Sequence, residues 1–162
     1  MSFQSTFLSI LLSLCLGTVY GQEEPHDHSH EHRNEMSVAT GIVPLPAEDE
    51  LTIGFHFHYI RGIGESNRFG MGLGFETIVD EHKHYTFSVV VQYRIVGGWI
   101  VAYAPGIMIR EEGEETLYQL AHHFETAYEF EIGSFHIGPM AEVGVEKIGV
   151  HYMVGIHFGI DF

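Results

Sequence analysis

Tyr152-Met153-Val154-Gly155-Ile156-His157-Phe158-Gly159-Ile160-Asp161-Phe162 is the stretch that decides the fold. Tyr152, Val154, Ile156, Phe158, Ile160 and Phe162 alternate with Met153, Gly155, His157, Gly159 and Asp161. A strand points successive side chains to opposite faces, so this segment reads as a strand with one broad apolar face and one narrow face of small or polar groups. At the edge of a sheet such a strand exposes a row of unpaired backbone donors and acceptors. Pairing with the first strand of the same sheet closes a barrel and removes the edge.

The pattern recurs along the chain. Alternating segments lie at residues 36–45, 51–60, 68–79, 84–95, 99–110, 117–131, 135–146 and 149–162. In the second, Leu51, Ile53, Phe55, Phe57 and Tyr59 oppose Thr52, Gly54, His56 and His58. In the third, Phe69, Met71, Leu73 and Phe75 oppose Gly70, Gly72, Gly74 and Glu76. Each run matches or slightly exceeds the roughly 9–11 residues with which a tilted strand crosses a bilayer. The direction of the apolar face separates two classes. In a soluble eight-stranded barrel that face lines the interior, which is only just wide enough to be filled by side chains. Eight strands of Phe, Tyr, Leu, Ile and Val would overfill it. The opposite face carries Gly, Ala, Ser, His, Glu and Arg, which suit a narrow polar lumen. The expected fold is therefore all-β, an antiparallel eight-stranded up-and-down transmembrane barrel with short loops.

The connections agree with this. One set is charged: residues 46–50, 80–83, 111–115 and 146–148. The second set holds residues 61–67 and the glycine turns Val96-Gly97-Gly98 and Ile132-Gly133-Ser134. Outward aromatics then collect at the two ends of the strands, with Tyr59, Phe69, Tyr93, Trp99 and Tyr128 near the glycine turns and Tyr85, Tyr118 and Tyr152 near the charged ones. Amphipathic rings favour the headgroup boundary.

Residues 7–19 form an apolar run too short to span a bilayer, followed by polar sequence. This reads as a signal peptide over residues 1–21, with Gly21 before the cleavage point, although residues 1–6 hold no Lys or Arg. The single cysteine, Cys15, leaves with it, so the exported chain forms no disulfide. A formal charge of −15 argues against nucleic acid as a partner, since phosphate contact needs Lys and Arg. Residues 22–35 lack apolar groups and are expected to be a disordered tail. Residues 36–162 are left as the barrel domain.

Residues 36–162 as a whole resemble the small eight-stranded outer-membrane barrel proteins of Gram-negative bacteria. The resemblance rests on the alternating strands, the aromatic ends and Phe162 as a terminal aromatic. It implies an outer-membrane location, export through the periplasm, the lipid bilayer as surroundings, and folding by the barrel assembly machinery, which reads a terminal aromatic. Pro105, Pro139 and His122 on the lipid-facing side depart from the pattern. Proline removes a ladder donor, so bulges are expected at Pro105 and Pro139.

Chemical motifs are scarce. Gly70, Gly72 and Gly74 recur at spacing two on a strand face and do not form a phosphate loop. Ser88 and His84 share a strand, and no acid that would complete a triad is evident from the sequence, which gives a lipid-modifying enzyme only weak support. Two histidine-bearing regions are candidates for metal. In the tail, His26, His28, His30 and His32 alternate with Asp27, Ser29 and Glu31. They are candidate ligands for Zn²⁺, Ni²⁺ or Cu²⁺, or simply a solvated polar segment. In the barrel, pairing through the turns sets Glu125 beside Glu142, and both His123 and His151 beside Gly144. His123, Glu125, Glu142 and His151 are thus a candidate cluster in one half of the lumen. His56, His58, Glu76, Arg94, Arg110, Glu129, His136 and His157 add polar lining. Such a set either forms an interior ion-pair network that fills the barrel or holds a cation. No organic cofactor is implied. The functional expectation is a non-enzymatic outer-membrane barrel, structural or binding, with a role in divalent-metal handling. Two further classes compete with it: a surface-protection or adhesion protein, and a soluble periplasmic ligand-binding barrel. The sequence leaves the oligomeric state open.

Overall fold

Alternation with period two, punctuated by glycine turns, produces strands throughout. A computed structural model describes residues 33–45, 50–79, 84–112, 115–147 and 149–162. Within them lie β1 (Asn34–Leu45), β2 (Glu50–Ile63), β3 (Phe69–Ile78), β4 (His84–Arg94), β5 (Trp99–Glu112), β6 (Glu115–Tyr128), β7 (Phe130–Ile132), β8 (Phe135–Glu146) and β9 (Gly149–Asp161). β6 and β7 are one run interrupted at Glu129, and both pair with β8, so the barrel has eight staves. Every neighbouring pair is antiparallel in chain order, and β1 pairs with β9 to close the ring. This is the expected all-β up-and-down barrel. The leader expected over residues 1–21 and the histidines of the expected tail, His26, His28, His30 and His32, lie outside the described residues, as do most of the charged connections.

The closing seam is regular. Its register runs from Glu35 opposite Asp161 to Ile42 opposite Val154. Beyond it the Asn34 N–H donates to the Phe162 carbonyl at 3.0 Å, and the Phe162 N–H donates to the Asn34 carbonyl at 2.8 Å. The Tyr59 hydroxyl donates to Asn34 Oδ1 at 3.0 Å, tying β2 to the same point. Because β1 begins at Asn34, Glu35 belongs to the barrel wall.

The bulges expected at the prolines are not there. Ser88 pairs with Gly106 and Val91 with Tyr103, which is one continuous register with the two pairs around Pro105 left unformed. On its other side Pro105 pairs with His122 in an unbroken ladder. Pro139 behaves the same way. It pairs with Ile156 of β9 without interruption, while the β6–β8 ladder ends at Ala127–Met140 and resumes as β7–β8 at Phe130–Ile137 in the same register. Each proline therefore costs pairing to one neighbour only. No residue is inserted, so the alternation of faces carries through both sites. The interruption also explains why Glu129 stands outside a strand. Its N–H donates to the Gly98 carbonyl at 2.8 Å across the end of the barrel. Gly97 and Gly98 adopt φ of 60° and 85°, left-handed values that the turn requires and that glycine adopts without strain.

The broad apolar face points outward on all staves. Leu51, Leu73, Phe87, Leu120 and Val154 are among its exposed members. At the end bearing Asn34 and Phe162 the outward rings pack laterally. Phe69 meets Tyr93 at 4.8 Å between centroids, and Trp99 meets Tyr128 edge-on at 5.2 Å. His122 on this face is accounted for by Tyr103, whose hydroxyl lies 2.8 Å from His122 Nδ1.

The interior is less uniformly polar than the sequence reading anticipates. Val43, Ile60, Val90, Ile100, Met108 and Met153 are buried inside among the histidines and carboxylates. Glycines on the inner face make room for rings across the ladder. Gly144 pairs with His151, and a Cβ there would sit 2.1 Å from the imidazole. Gly159 pairs with His136, and a Cβ there would sit 2.0 Å from its Nε2.

Candidate functional site

Most of the inward-facing ionisable groups fall into two tiers. The tier nearer the charged connections gathers His56 of β2, Glu76 of β3, His123 and Glu125 of β6, Glu142 of β8 and His151 of β9. The register expected from the turns is present: His123 faces Gly144, Glu125 faces Glu142, and Gly144 faces His151. Among the four candidates His151 Nε2 lies 3.8 Å from Glu142 Oε1, and the closer links run through two residues reaching over from the opposite wall. His123 Nδ1 lies 2.6 Å from Glu76 Oε2, and His151 Nε2 lies 3.3 Å from Glu76 Oε1. His56 Nδ1 lies 2.7 Å from Glu142 Oε2 and 3.5 Å from Glu125 Oε2, while its Nε2 is 2.9 Å from Glu76 Oε2. His56 and Glu76, which the sequence reading placed only in the general lining, are the hub. Their signal was in the chain: both point inward, and they pair directly across the β2–β3 ladder. Glu125 turns partly away, with Oε1 3.6 Å from His157 Nδ1.

The second tier lies at the end bearing the strand termini. Arg94 is its centre. The guanidinium donates to Glu35 Oε2 at 2.7 Å from Nη2 and binds Glu129 Oε2 through Nη1 in a short contact. Gln92 Nε2 donates to the same Glu35 oxygen at 3.1 Å. His136 and His157 stack beside the network with ring centroids 5.2 Å apart, and their Nε2 atoms approach to 3.2 Å. His136 Nδ1 lies 3.6 Å from Asp161 Oδ2. Glu35 and Asp161 are the members that the candidate lining omitted. Glu35 falls in the polar stretch assigned to the tail, and only the continued alternation Glu35, Ser37, Ala39 marks it as a wall residue.

The two tiers differ in chemistry. In the second, a fixed guanidinium answers the carboxylates. In the first, the close ionic contacts of Glu76, Glu125 and Glu142 run to imidazoles, which are ligands as readily as they are proton carriers. Ser88 sits mid-strand on the inner face, opposite Gly74, and His84 is four residues away along β4. That is about 13 Å of extended chain, which is no nucleophile–base pair.

The crystal structure of Neisserial surface protein A (NspA) is similar to this chain, with a TM-score of 0.55 over 80% of this chain and 96% of that one, at 7% identity. The solution structure of a de novo designed protein, TMB2.3, covers 81% of this chain and 94% of its own at a TM-score of 0.46 and 11% identity. At 7% identity the likeness to NspA is one of fold alone, a closed eight-stave antiparallel barrel. No family model matches the sequence, and no curated protein matches it.

Proposed function

We propose that this protein is a non-enzymatic outer-membrane β-barrel, structural or binding, whose finer role is the handling of divalent metal. The observation that carries the reading is the orientation of the two faces. A belt of Phe, Leu, Ile, Val and Tyr side chains stands exposed around the outside, while buried carboxylates, imidazoles and a guanidinium fill the inside. A soluble ligand-binding barrel has the reverse arrangement. A water-exposed apolar surface of this extent on a monomer would be an association hazard, and in a bilayer it is the solvated surface. The metal role is supported by the His–Glu tier inside and by the alternating histidines His26, His28, His30 and His32 of the tail. The bilayer and, during biogenesis, the barrel assembly machinery are the partners that this reading requires.

The barrel reading is tested by fractionation and gel mobility. The mature protein is expected in the outer-membrane fraction, resistant to urea extraction, and in detergent it should migrate faster unheated than boiled. Recovery as a soluble periplasmic monomer with no heat-dependent mobility would reject it.

A further inference from the structure

The metal role can be assigned to particular atoms. We propose that His56, Glu76, His123 and Glu142 form a buried site for one divalent cation of the Zn²⁺ class, with His151 and Glu146 as its approach from the mouth. The inference rests on the barrel reading above and deepens its metal role.

One ligand atom from each of these four residues lies within 4.8 Å of the other three. Four-coordinate zinc, with bonds of about 2.0–2.2 Å to nitrogen and carboxylate oxygen, needs its ligand atoms roughly 3.3 Å apart. Three of the present contacts are already shorter than that, His56–Glu76 at 2.9 Å, His56–Glu142 at 2.7 Å and His123–Glu76 at 2.6 Å, so an ion would replace direct imidazole–carboxylate contacts with contacts shared through it. The polar atoms here are also incompletely used. Both oxygens of Glu142, whose side chain is 0% exposed, lack a hydrogen bond, as does Nε2 of His123, which is 2% exposed. Glu142 Oε2 is close to His56 Nδ1 yet outside hydrogen-bond alignment. The ionic partners of Glu142 are imidazoles, His56 at 2.7 Å and His151 at 3.8 Å, which balance its charge only when protonated, whereas a bound cation that accepts its lone pairs balances it in either state.

Two imidazoles and two carboxylates also define the kind of ion. Without thiolate the set does not favour Cu(I), and with two nitrogens it departs from the all-oxygen shells of Ca²⁺ and Mg²⁺. A second group, His123, Glu146 and His151, adjoins the first and shares His123 with it. His151 Nδ1 lies 3.8 Å from Glu146 Oε1, near the end of β8. An ion entering there passes from ligand to ligand into the inner four. The tier around Arg94 has comparable donors in Glu35, Glu129, His136 and His157. Glu35 and Glu129 each already give one oxygen to Arg94, and a cation bound there would meet that fixed positive charge.

The test uses the full mature chain folded in detergent, with His26, His28, His30 and His32 replaced by Asn so that tail binding is removed. Zn²⁺ titrated calorimetrically should bind at one ion per chain. In that background His56→Gln and Glu142→Gln should each weaken binding at least about tenfold, while His136→Gln should leave it within about twofold. Co²⁺ in place of Zn²⁺ should give the intense visible bands of a four-coordinate ion. Absence of stoichiometric Zn²⁺ binding to the tail variant would overturn the proposal. So would equal weakening by His136→Gln. If His56→Gln and Glu142→Gln do not fold, the Co²⁺ spectrum of the tail variant decides, a weak six-coordinate spectrum being the contrary result. Heat-dependent mobility of the tail variant is read in parallel, so that loss of the site and failure of the barrel reading are told apart.

Discussion

Replacing Arg94 with Met should destabilise the folded barrel by about 2–4 kcal/mol, measured as a lowered urea midpoint in detergent micelles. The guanidinium is the shared partner of Glu35 and Glu129, and its Nη2 also lies 4.0 Å from Asp161 Oδ1. Glu35 and Glu129 are buried, so removal of the cation leaves uncompensated charge where water reaches poorly. The cost falls short of the largest values for a severed buried pair because the Arg94 side chain keeps 21% of its surface exposed. Arg94→Lys should recover part of the loss, since it restores the charge but not the planar fork that reaches two carboxylates at once. The double change Arg94→Met with Glu129→Gln should be less destabilised than Arg94→Met alone, because one of the orphaned charges is gone. A midpoint for Arg94→Met within about 0.5 kcal/mol of wild type would mean that the network is a solvated cluster of little energetic weight.

The second large effect concerns the outer belt. Leu73 lies in the middle of β3, is 64% exposed, and pairs with Tyr59 on one side and Val89 on the other. In lipid, Leu73→Arg should cost about 2–4 kcal/mol, whereas Ile63→Arg, at the end of β2, should cost only about 0–1 kcal/mol. On a water-exposed surface both changes would fall within about 0.5 kcal/mol of neutral. The comparison, made by urea unfolding from phospholipid vesicles, thus reads the depth profile of the barrel. Equal and small effects at the two positions would place the belt in water.

Most of the architecture was legible because a strand has a strict period and each turn fixes the next register. The expected partners of Glu125, His123 and His151 followed from counting back from Gly133 and residues 147–148, and they hold. What counting could not supply is the contact across the lumen. His56 and Glu76 lie on the opposite wall from His123 and Glu142, and sequence separation says nothing about which inward side chains are long enough to meet. The prolines misled for a related reason. A missing donor can be absorbed by an inserted residue or by an unformed pair, and both leave the same trace in the sequence. Here the unformed pairs at Pro105 and Pro139 preserve the register. Glu35 was hidden by its neighbours, since composition averaged over residues 22–35 outweighs the single alternating position that makes it part of β1.

The central claim is that the apolar face meets lipid, and Trp99 offers a direct reading of it. It is the single tryptophan of the chain, it lies on the outer face, and it sits at the start of β5 against Tyr128. In vesicles containing brominated phospholipid its fluorescence should be quenched, more strongly by bromine near the headgroup end of the acyl chain than by bromine near the bilayer centre. Aqueous iodide should quench it weakly. Efficient quenching by iodide, with no effect of brominated lipid at either depth, would contradict the account.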